Sequence, residues 1–299
     1  MTQPLAKTLA LTAVAMIAFA ANSLLCRAAL ADPLIDPASF TTLRLAAGAV
    51  VLTLIVRARP LSSVPPHADW MAAAMLFLYA VAFSFAYLSL SAGTGALILF
   101  GAVQLTMFVV GLRAREHFAP LSWAGFVVAV LGLLYLVSPG VTAPAPLGAA
   151  LMAVAGVAWG VYSLRGRGVT DPLRATASNF VRSVPFTLAV SALFFNELHS
   201  SARGIALGIA SGALTSGVGY VIWYAALRGL NATRAATVQL SVPVIAALGG
   251  ALLLAEPITL RLALSSAAVL GGIALVLVQR KRLTAENAEP AAKDKKVSR

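Results

Sequence analysis

The chain has 299 residues, of which 60% are hydrophobic and only 11% are charged. A soluble domain carries about 25% charged residues, so this composition excludes a soluble globular protein and predicts a polytopic membrane protein. The formal net charge is +12 at pH 7, but the basic residues lie mainly in loops and in the C-terminal tail, so they require no nucleic-acid partner.

Ten runs of the sequence are apolar over lengths that can cross a membrane. A helix needs about 20 residues to span a hydrocarbon core about 30 Å thick. Continuous runs of this kind favour helices over barrel strands, which alternate over about ten residues. We therefore predict an all-α integral membrane protein with ten transmembrane helices. The predicted spans are Leu9–Leu30, Ala38–Val56, Trp70–Leu90, Gly93–Gly111, Leu121–Val137, Leu147–Leu164, Ala175–Phe195, Gly204–Leu227, Ala235–Ala255 and Leu260–Val278.

The first apolar run has some features of a cleaved signal peptide. Lys7 precedes it, and small residues occur from Ala18 to Ala20. Because the apolar run continues past that site and nine further runs follow, we predict an uncleaved start-anchor instead.

Basic residues fall mostly on one side of the predicted spans. With the N-terminus inside, seventeen of the 22 lysines and arginines lie in inner loops and tails, and only Arg203 and Arg261 lie in outer loops. This asymmetry predicts that both termini are cytoplasmic. The C-terminal tail, 283–299, is charged and poor in apolar residues, which predicts disorder.

The two halves of the chain repeat each other at a spacing of 140 residues. Glu116 and Glu256 each precede an apolar run with a glycine sixteen residues later, and Arg27 and Arg167 have equivalent surroundings. We predict one five-helix repeat at 1–140 and a second at 141–282. Because five is odd, the second repeat enters the membrane from the opposite side. Inverted repeats of this kind suit alternating access around a site at the membrane midplane.

Several stretches, taken in order, resemble a known family. They are "FAANSLLCRAAL" and "DPASFTTLRLAAGAV" in the first half, and "GVAWGVYSLRGR", "VQLSVPVIAALGGALLLAEPITL" and "LGGIALVLV" in the second. They resemble the EamA-type repeat of the drug/metabolite transporter (DMT) superfamily over nearly the whole chain except its tail. The resemblance implies a ten-helix transporter in the inner membrane of a bacterium, exporting amino acids or similar metabolites. It also implies a central cavity formed by the first four helices of each repeat, with the fifth helix peripheral.

The two repeats differ at positions that the family pattern would make equivalent. The first repeat has Val103 and Gln104 where the second has Pro243. This difference indicates that the two halves of the site are not strictly equivalent.

The sequence lacks the patterns of common catalytic and metal sites. No glycine-rich loop ends in Gly-Lys-Ser or Gly-Lys-Thr, so the chain is not expected to hydrolyse ATP. His67, His117 and His199 lie in loops without metal-ligating neighbours, and no Ser/His/Asp arrangement forms at membrane depth. We predict no enzyme activity, no catalytic residues, no metal and no cofactor. The expected partners are a small-molecule substrate and the lipid bilayer, and the expected assembly is a monomer or weak homodimer.

All ten acidic residues lie at helix ends, in loops or in the tail. Proton-driven carriers commonly relay protons through carboxylates or histidines inside the membrane. We therefore favour facilitated, uniport-like export of small amphipathic metabolites, and the family resemblance suggests neutral or aromatic amino acids. Two alternatives stay open: a proton-coupled drug or metabolite antiporter of the same fold, and a non-transporting lipid-handling membrane component.

Polar and aromatic residues near the middle of the spans are the candidate substrate-binding residues. The candidates with neutral hydrogen-bonding groups are Asn22, Gln104, Gln239 and Ser241, and the aromatic candidates are Tyr79, Phe83, Trp159, Tyr162 and Tyr220. Each has a structural alternative, because such residues also form interhelical hydrogen bonds or pack helices together.

Arg44 and Arg182 are single arginines within predicted spans. A charge at the bilayer centre costs about 2.5–3.5 kcal/mol, so each needs a reason. We expect both to snorkel to water and to act as cavity-mouth charges, one on each membrane face, unless they tie helices together structurally. Pro185 and Pro243 lie inside spans, where each removes a backbone donor, and we predict hinges there, with simple kinks as the alternative.

Overall fold

The computed structural model describes residues 4–59, 69–115, 118–166, 169–230 and 232–277. These residues form helices, and an isolated bridge between Ile35 and Ser200 is the one strand-like pairing in these ranges. The predicted disordered tail lies outside the described residues, as do Glu116 and Arg167. The helices are α1 (Leu5–Leu30), α2 (Pro37–Arg57), α3 (Trp70–Ala86), α4 (Ala92–Arg113), α5 (Pro120–Val137), α6 (Pro146–Arg165), α7 (Pro172–Leu193), α8 (Ala202–Leu227), α9 (Ala232–Gln239 and Ser241–Leu253) and α10 (Leu260–Leu277).

Eight of these helices are long and apolar enough to cross a membrane, namely α1, α2, α4, α5, α6, α8, α9 and α10. α3 is apolar but shorter, since it ends at Ala86 rather than at the predicted Leu90. α7 is long but less apolar, because it carries Arg174 and Arg182. The all-helical membrane fold is as predicted. That all ten helices cross the membrane, that the repeats are inverted and that both termini are cytoplasmic stay predictions.

Asp-Pro dipeptides begin α2 and α7. The carboxylates of Asp36 and Asp171 each accept a hydrogen bond from the backbone N–H three residues later, at 2.8 and 3.1 Å. Pro37 and Pro172 are the first helical residues. An N-cap carboxylate satisfies an N–H that the helix leaves unpaired, and proline fits the first helical position because its missing N–H is not needed there. The dipeptide therefore starts a helix in each half of the chain.

Most helices of the first half of the chain pack against helices of the second half. α1 packs against α8 and α9, α6 packs against α3 and α4, α2 packs against α7, and α4 packs against α9. α5 and α10 meet at Gly125 and Gly272, where a side chain on either residue would collide with the carbonyl oxygen of the other. Each of these pairings maps onto itself or onto another when α1–α5 are exchanged with α6–α10, and the two repeats at 1–140 and 141–282 stay a prediction.

Candidate functional site

A cavity of about 280 Å³ lies between α1, α3, α4, α6, α8 and α9. Its wall includes neutral hydrogen-bonding side chains, which are those of Asn22, Ser23, Gln104, Ser163, Thr215, Ser216 and Gln239. It also includes aromatic side chains, which are those of Phe19, Tyr79, Phe83, Phe100, Trp159, Tyr220 and Trp223. None of the wall residues that the structure describes is Asp, Glu, Lys or Arg, so the wall itself carries no formal charge.

Seven of the nine candidate substrate-binding residues line this cavity. They are Asn22, Tyr79, Phe83, Gln104, Trp159, Tyr220 and Gln239. These residues come from six different helices, and the fold brings them around one space. Their binding of a substrate stays a prediction.

Tyr162 and Ser241 are not among the residues that line this cavity, and their binding of a substrate stays a prediction. Tyr162 is buried behind the ring of Trp159, at 5.3 Å between ring centroids, and its hydroxyl lies 3.5 Å from that of Thr176 in α7. The Ser241 hydroxyl donates to a carbonyl of its own helix at 2.7 Å. Ser241 follows Gln239 by two residues, and that step turns a helix by about 200°, away from the cavity.

The aromatic side of the wall is a set of rings in mutual contact. Trp159 stacks on Tyr220 with 5.6 Å between ring centroids and an interplanar angle of 16°. Tyr79 lies 4.9 Å from Trp159, and Phe19 contacts Tyr220 and Trp223 edge-on at 5.9 and 5.8 Å. Rings in such arrangements support one another and form a rigid apolar surface. This side of the cavity suits an apolar or aromatic part of a ligand.

Asn22 is the centre of a hydrogen-bond network at the cavity. Its Oδ1 accepts from the hydroxyls of Ser211, at 2.8 Å, and Thr215, at 3.3 Å. Its Nδ2 donates to the Tyr79 hydroxyl at 3.3 Å, and Arg44 Nη2 donates to the same hydroxyl at 2.8 Å. The network joins α1, α2, α3 and α8. Asn22 therefore forms interhelical hydrogen bonds, which was the structural alternative to substrate binding. It also lines the cavity.

Arg44 is buried, with 2% of its surface exposed. The carbon atom of its guanidinium lies 5.0 Å from the centroid of the Tyr79 ring and 4.8 Å from that of Phe83. The expectation that Arg44 snorkels to water is therefore wrong, and a role at a cavity mouth stays a prediction. The side chain turns inward because two aromatic faces and a phenol hydroxyl solvate it inside the protein. Arg44 lies directly behind the cavity wall.

Arg182 has different surroundings from Arg44. It is half-buried, its guanidinium lies 5.7 Å from the centroid of the Trp70 ring, and it donates a hydrogen bond to the Ser178 hydroxyl. It is not among the residues of the cavity wall. The two arginines are therefore not an equivalent pair in their contacts, and a mouth role for Arg182 stays a prediction.

A π-helical segment interrupts α8 at Ser211–Val218. Thr215 and Ser216, both within it, line the cavity. Such segments are rare and frequently lie at functional sites. The segment also supplies Ser211 to the network around Asn22, so it shapes the wall as well as lining it.

The regular hydrogen bonding of α9 is interrupted at Leu240, between Gln239 and Ser241, while the backbone of Leu240 keeps helical angles (φ −65°, ψ −17°). Pro243 begins the next turn and has no N–H to donate to the Gln239 carbonyl, so the break has a direct cause. α7, in contrast, continues as a helix through Pro185. Broken helices beside a binding site are common in transporters. A hinge at either proline stays a prediction.

An ion pair joins the start of α3 to the end of α6. Asp69 caps α3, and its two carboxylate oxygens accept from Arg165 Nε at 2.9 Å and Nη2 at 3.1 Å. Burial acts to raise the pKa of Asp69, but the hydrogen bonds from Arg165 and from the Ala72 N–H, with the charge of the arginine, outweigh it and lower that pKa. The pair fixes two cavity-lining helices to each other at one end.

Phe19, Trp223 and Thr215 line the cavity but are not among the residues predicted from the sequence. For Phe19 and Trp223, the spacing along the helix indicates a place on the cavity face. Phe19 lies three residues before Asn22 and Trp223 lies three residues after Tyr220, so each shares a helix face with a selected residue. Thr215 lies five residues before Tyr220, which is off that face in an α-helix. It reaches the cavity because the π-helical segment takes more residues per turn.

Comparison with known proteins gives a consistent picture. Residues 146–278 match the model of the EamA-like transporter family. An uncharacterized protein of Pseudomonas aeruginosa is 52% identical over 274 residues, which are 92% of this chain and 96% of that protein. An uncharacterized transporter of Archaeoglobus fulgidus is 28% identical over 198 residues, 64% of this chain and 70% of its own length. One solved crystal structure aligns with a TM-score of 0.63 over 90% of this chain and 97% of the other at 20% identity, which is a likeness of fold alone.

Proposed function

Because the chain belongs to the EamA-like transporter family, we propose that it exports small amphipathic metabolites, neutral or aromatic amino acids in particular, through the cavity described above. The observation that carries the proposal is the mixed wall of aromatic rings and neutral hydrogen-bonding groups contributed by six helices. The cavity, at about 280 Å³, is near the lower limit of small-molecule pockets, which run from about 300 to 1,000 Å³. That size favours a single amino acid over a larger conjugate such as a nucleotide sugar.

Alternating access is the mechanism that we propose for this movement. Helices of the first half of the chain pack against helices of the second half. We propose that the two halves alternate between two conformations, one open to each side of the membrane. The break in α9 and the π-helical segment in α8 lie beside the cavity and supply two places where helices can bend.

We propose facilitated, uniport-like transport. The described residues of the cavity wall include no carboxylate or histidine to carry a proton. The proposed location is the inner membrane of a bacterium with both termini in the cytoplasm, supported by the strong excess of basic residues in the loops on one side. The proposed assembly is a monomer or weak homodimer in the bilayer.

Counterflow of radiolabelled phenylalanine into liposomes that contain the purified protein tests the proposal. Exchange should exceed that of empty liposomes and should saturate. Trp159→Leu should weaken exchange, because it removes the ring that stacks on Tyr220, whereas Trp123→Leu, at an exposed ring of α5, is the matched control. Absence of exchange for every amino acid would contradict transport and favour a non-transporting role. Uphill accumulation driven by an imposed proton gradient would contradict the uniport mechanism and favour the antiporter.

A further inference from the structure

Arg44 is a buried cation whose hydrogen-bonding capacity is mostly unused. Its Nη2 donates to the Tyr79 hydroxyl, but its Nε and Nη1 have no hydrogen-bond partner within the described part of the chain. It forms no ion pair with a carboxylate in that part either. Burial of a charge without a counter-charge is unfavourable, so a helix bundle that retains one has a use for it.

Aromatic faces compensate the charge of Arg44 only in part. The rings of Tyr79 and Phe83 lie close to the guanidinium, at 5.0 and 4.8 Å from their centroids. Such contacts keep a buried guanidinium charged, but a ring face is a weaker partner for it than a carboxylate. The positive potential of Arg44 therefore extends to the far side of these rings, which line the cavity.

Tyr79 connects Arg44 to the cavity. Its phenol oxygen accepts two hydrogen bonds, from Arg44 Nη2 at 2.8 Å and from Asn22 Nδ2 at 3.3 Å. Two accepted bonds occupy the lone pairs of a hydroxyl, so its own hydrogen is left to donate. A phenol that accepts from a cation is polarised and becomes a stronger donor. The partner best suited to such a group is an anionic acceptor.

The described wall includes no carboxylate that could bind a cationic group of a ligand. Arg44 lies directly behind the Tyr79 and Phe83 rings of the wall, and the polar groups on the described wall are neutral, including amides and hydroxyls. A ligand ammonium group would meet aromatic faces such as those of Trp159 and Tyr220, together with the repulsion of Arg44. A ligand carboxylate would meet the polarised Tyr79 hydroxyl and the field of Arg44.

We propose that the cavity holds its substrate by a carboxylate group at the Tyr79 hydroxyl, with Arg44 as the counter-charge behind it, and that the substrate needs no amino group. The substrate class is then the small monocarboxylates with an apolar or aromatic body, among which amino acids are members but not the defining case. This inference rests on the transport function proposed above and deepens it. Arg44 acts as a positioning residue, through Tyr79.

Three ligands of similar size and shape test the proposal in the counterflow assay. They are phenylalanine, its carboxamide phenylalaninamide, and 3-phenylpropionate, which has the carboxylate but no amine. The expected result is exchange of phenylalanine and 3-phenylpropionate, with the amide at least about tenfold weaker, because a site built for a charged acceptor rejects a neutral analogue. Exchange of phenylalaninamide as fast as the two acids would overturn the proposal but leave the transport function standing. If none of the three exchanged, both would fail.

Variants of Tyr79 assign the preference to this site. Tyr79→Phe keeps the ring and removes the hydroxyl, and it should bring the ratio of acid to amide exchange to within about threefold of unity. Tyr87→Phe is the matched control, since Tyr87 is a buried tyrosine directly after the same helix, and its hydroxyl donates to the Ala92 carbonyl rather than facing the cavity. It should leave the ratio unchanged. An unchanged ratio in folded, monodisperse Tyr79→Phe protein would refute the assignment, and this test does not depend on whether Arg44 variants fold.

Discussion

Arg27 in α1 and Glu256, between α9 and α10, form an ion pair with 3.0 Å between Arg27 Nε and Glu256 Oε1. The second carboxylate oxygen accepts from the backbone N–H of Ala92, the first residue of α4, at 2.8 Å. Arg27 Nη1 also donates to the carbonyls of Tyr87 and Leu88, which follow α3, at 2.9 and 3.3 Å. A carboxylate at a helix N-terminus is favourable because of the helix dipole. This one ion pair therefore holds the ends of three helices, α1, α3 and α4, to the connection between α9 and α10.

Loss of the Glu256 charge should destabilise the protein. We expect Glu256→Gln to lower the free energy of unfolding by about 1–3 kcal/mol, because it weakens hydrogen bonds to a cation and to a helix N-terminus. Arg27→Gln should cost more, since the bonds to Tyr87 and Leu88 are weakened as well. Unfolding of the purified variants in detergent, by heat or denaturant, measures both.

Asp69→Asn is the matched control for Glu256→Gln. It removes the charge of a carboxylate whose pair with Arg165 is more exposed, with side-chain exposures of 26% and 45% against 12% and 21% for Glu256 and Arg27. Exposed pairs contribute about 0–1 kcal/mol, so the loss should be smaller. Equal losses in the two variants would show that the ion pair at Glu256 has no special role.

The contribution of Asp69 to stability should depend on pH. Its pKa in the folded protein is lowered, on balance, by Arg165 and by the Ala72 N–H against the opposing effect of burial. A lowered folded-state pKa stabilises the fold above the unfolded-state pKa of about 3.9, and that stabilisation is lost as the pH falls through the folded-state value. The difference in unfolding midpoint between wild type and Asp69→Asn should therefore be larger at about pH 7 than at about pH 3. A difference that stays constant over this range would contradict the assigned cause.

Pro243→Ala should repair the break in α9. Alanine supplies an N–H for the Gln239 carbonyl and favours the helix, so we expect a gain in stability of up to about 3 kcal/mol. If the break serves as a hinge, substrate exchange should become slower although the protein is more stable. Pro185→Ala is the control in a helix without a break, and unchanged exchange there would place the hinge in α9 alone. Faster or unchanged exchange in Pro243→Ala would exclude a hinge at that residue.

Gly156 allows α6 to approach α4 closely. A Cβ at this position would lie 2.6 Å from the Leu99 carbonyl oxygen and 2.6 Å from the Ala102 Cβ. Backbone atoms cannot move away without shifting a helix, so Gly156→Ala should destabilise by about 1–3 kcal/mol. Gly271→Ala is the matched control, because nothing lies within 4 Å of the added methyl group; it should be neutral or stabilising by up to about 1 kcal/mol. Similar melting temperatures for the two variants would contradict the close packing of α6 on α4.

The residues of the cavity wall could be predicted from the sequence only in part. Trp159, Tyr220 and Gln239 are predicted from the sequence as polar or aromatic residues near the middle of a span, and they line the cavity. Ser241 met the same criterion but is not on the wall, because two residues turn a helix by about 200° from Gln239. Thr215 was missed because a π-helical turn alters the phase of α8. A local irregularity such as this π-helical segment is not predicted by any regular period, so the residues that it brings to the cavity are hidden from a reading of the sequence.

The sequence by itself determined that this protein is a bundle of membrane helices with neutral polar and aromatic groups in its interior. That much follows from composition and from the lengths of the apolar runs, which are local properties of the chain. Only the tertiary structure decided the place of Arg44. Whether an arginine in a span reaches water or turns inward depends on which side chains lie beside it, and Tyr79 is 35 residues away in the chain. The network from Asn22 to Ser211 crosses 189 residues for the same reason: hydrogen-bond partners are set by the packing of helices, which the order of residues along one helix does not contain.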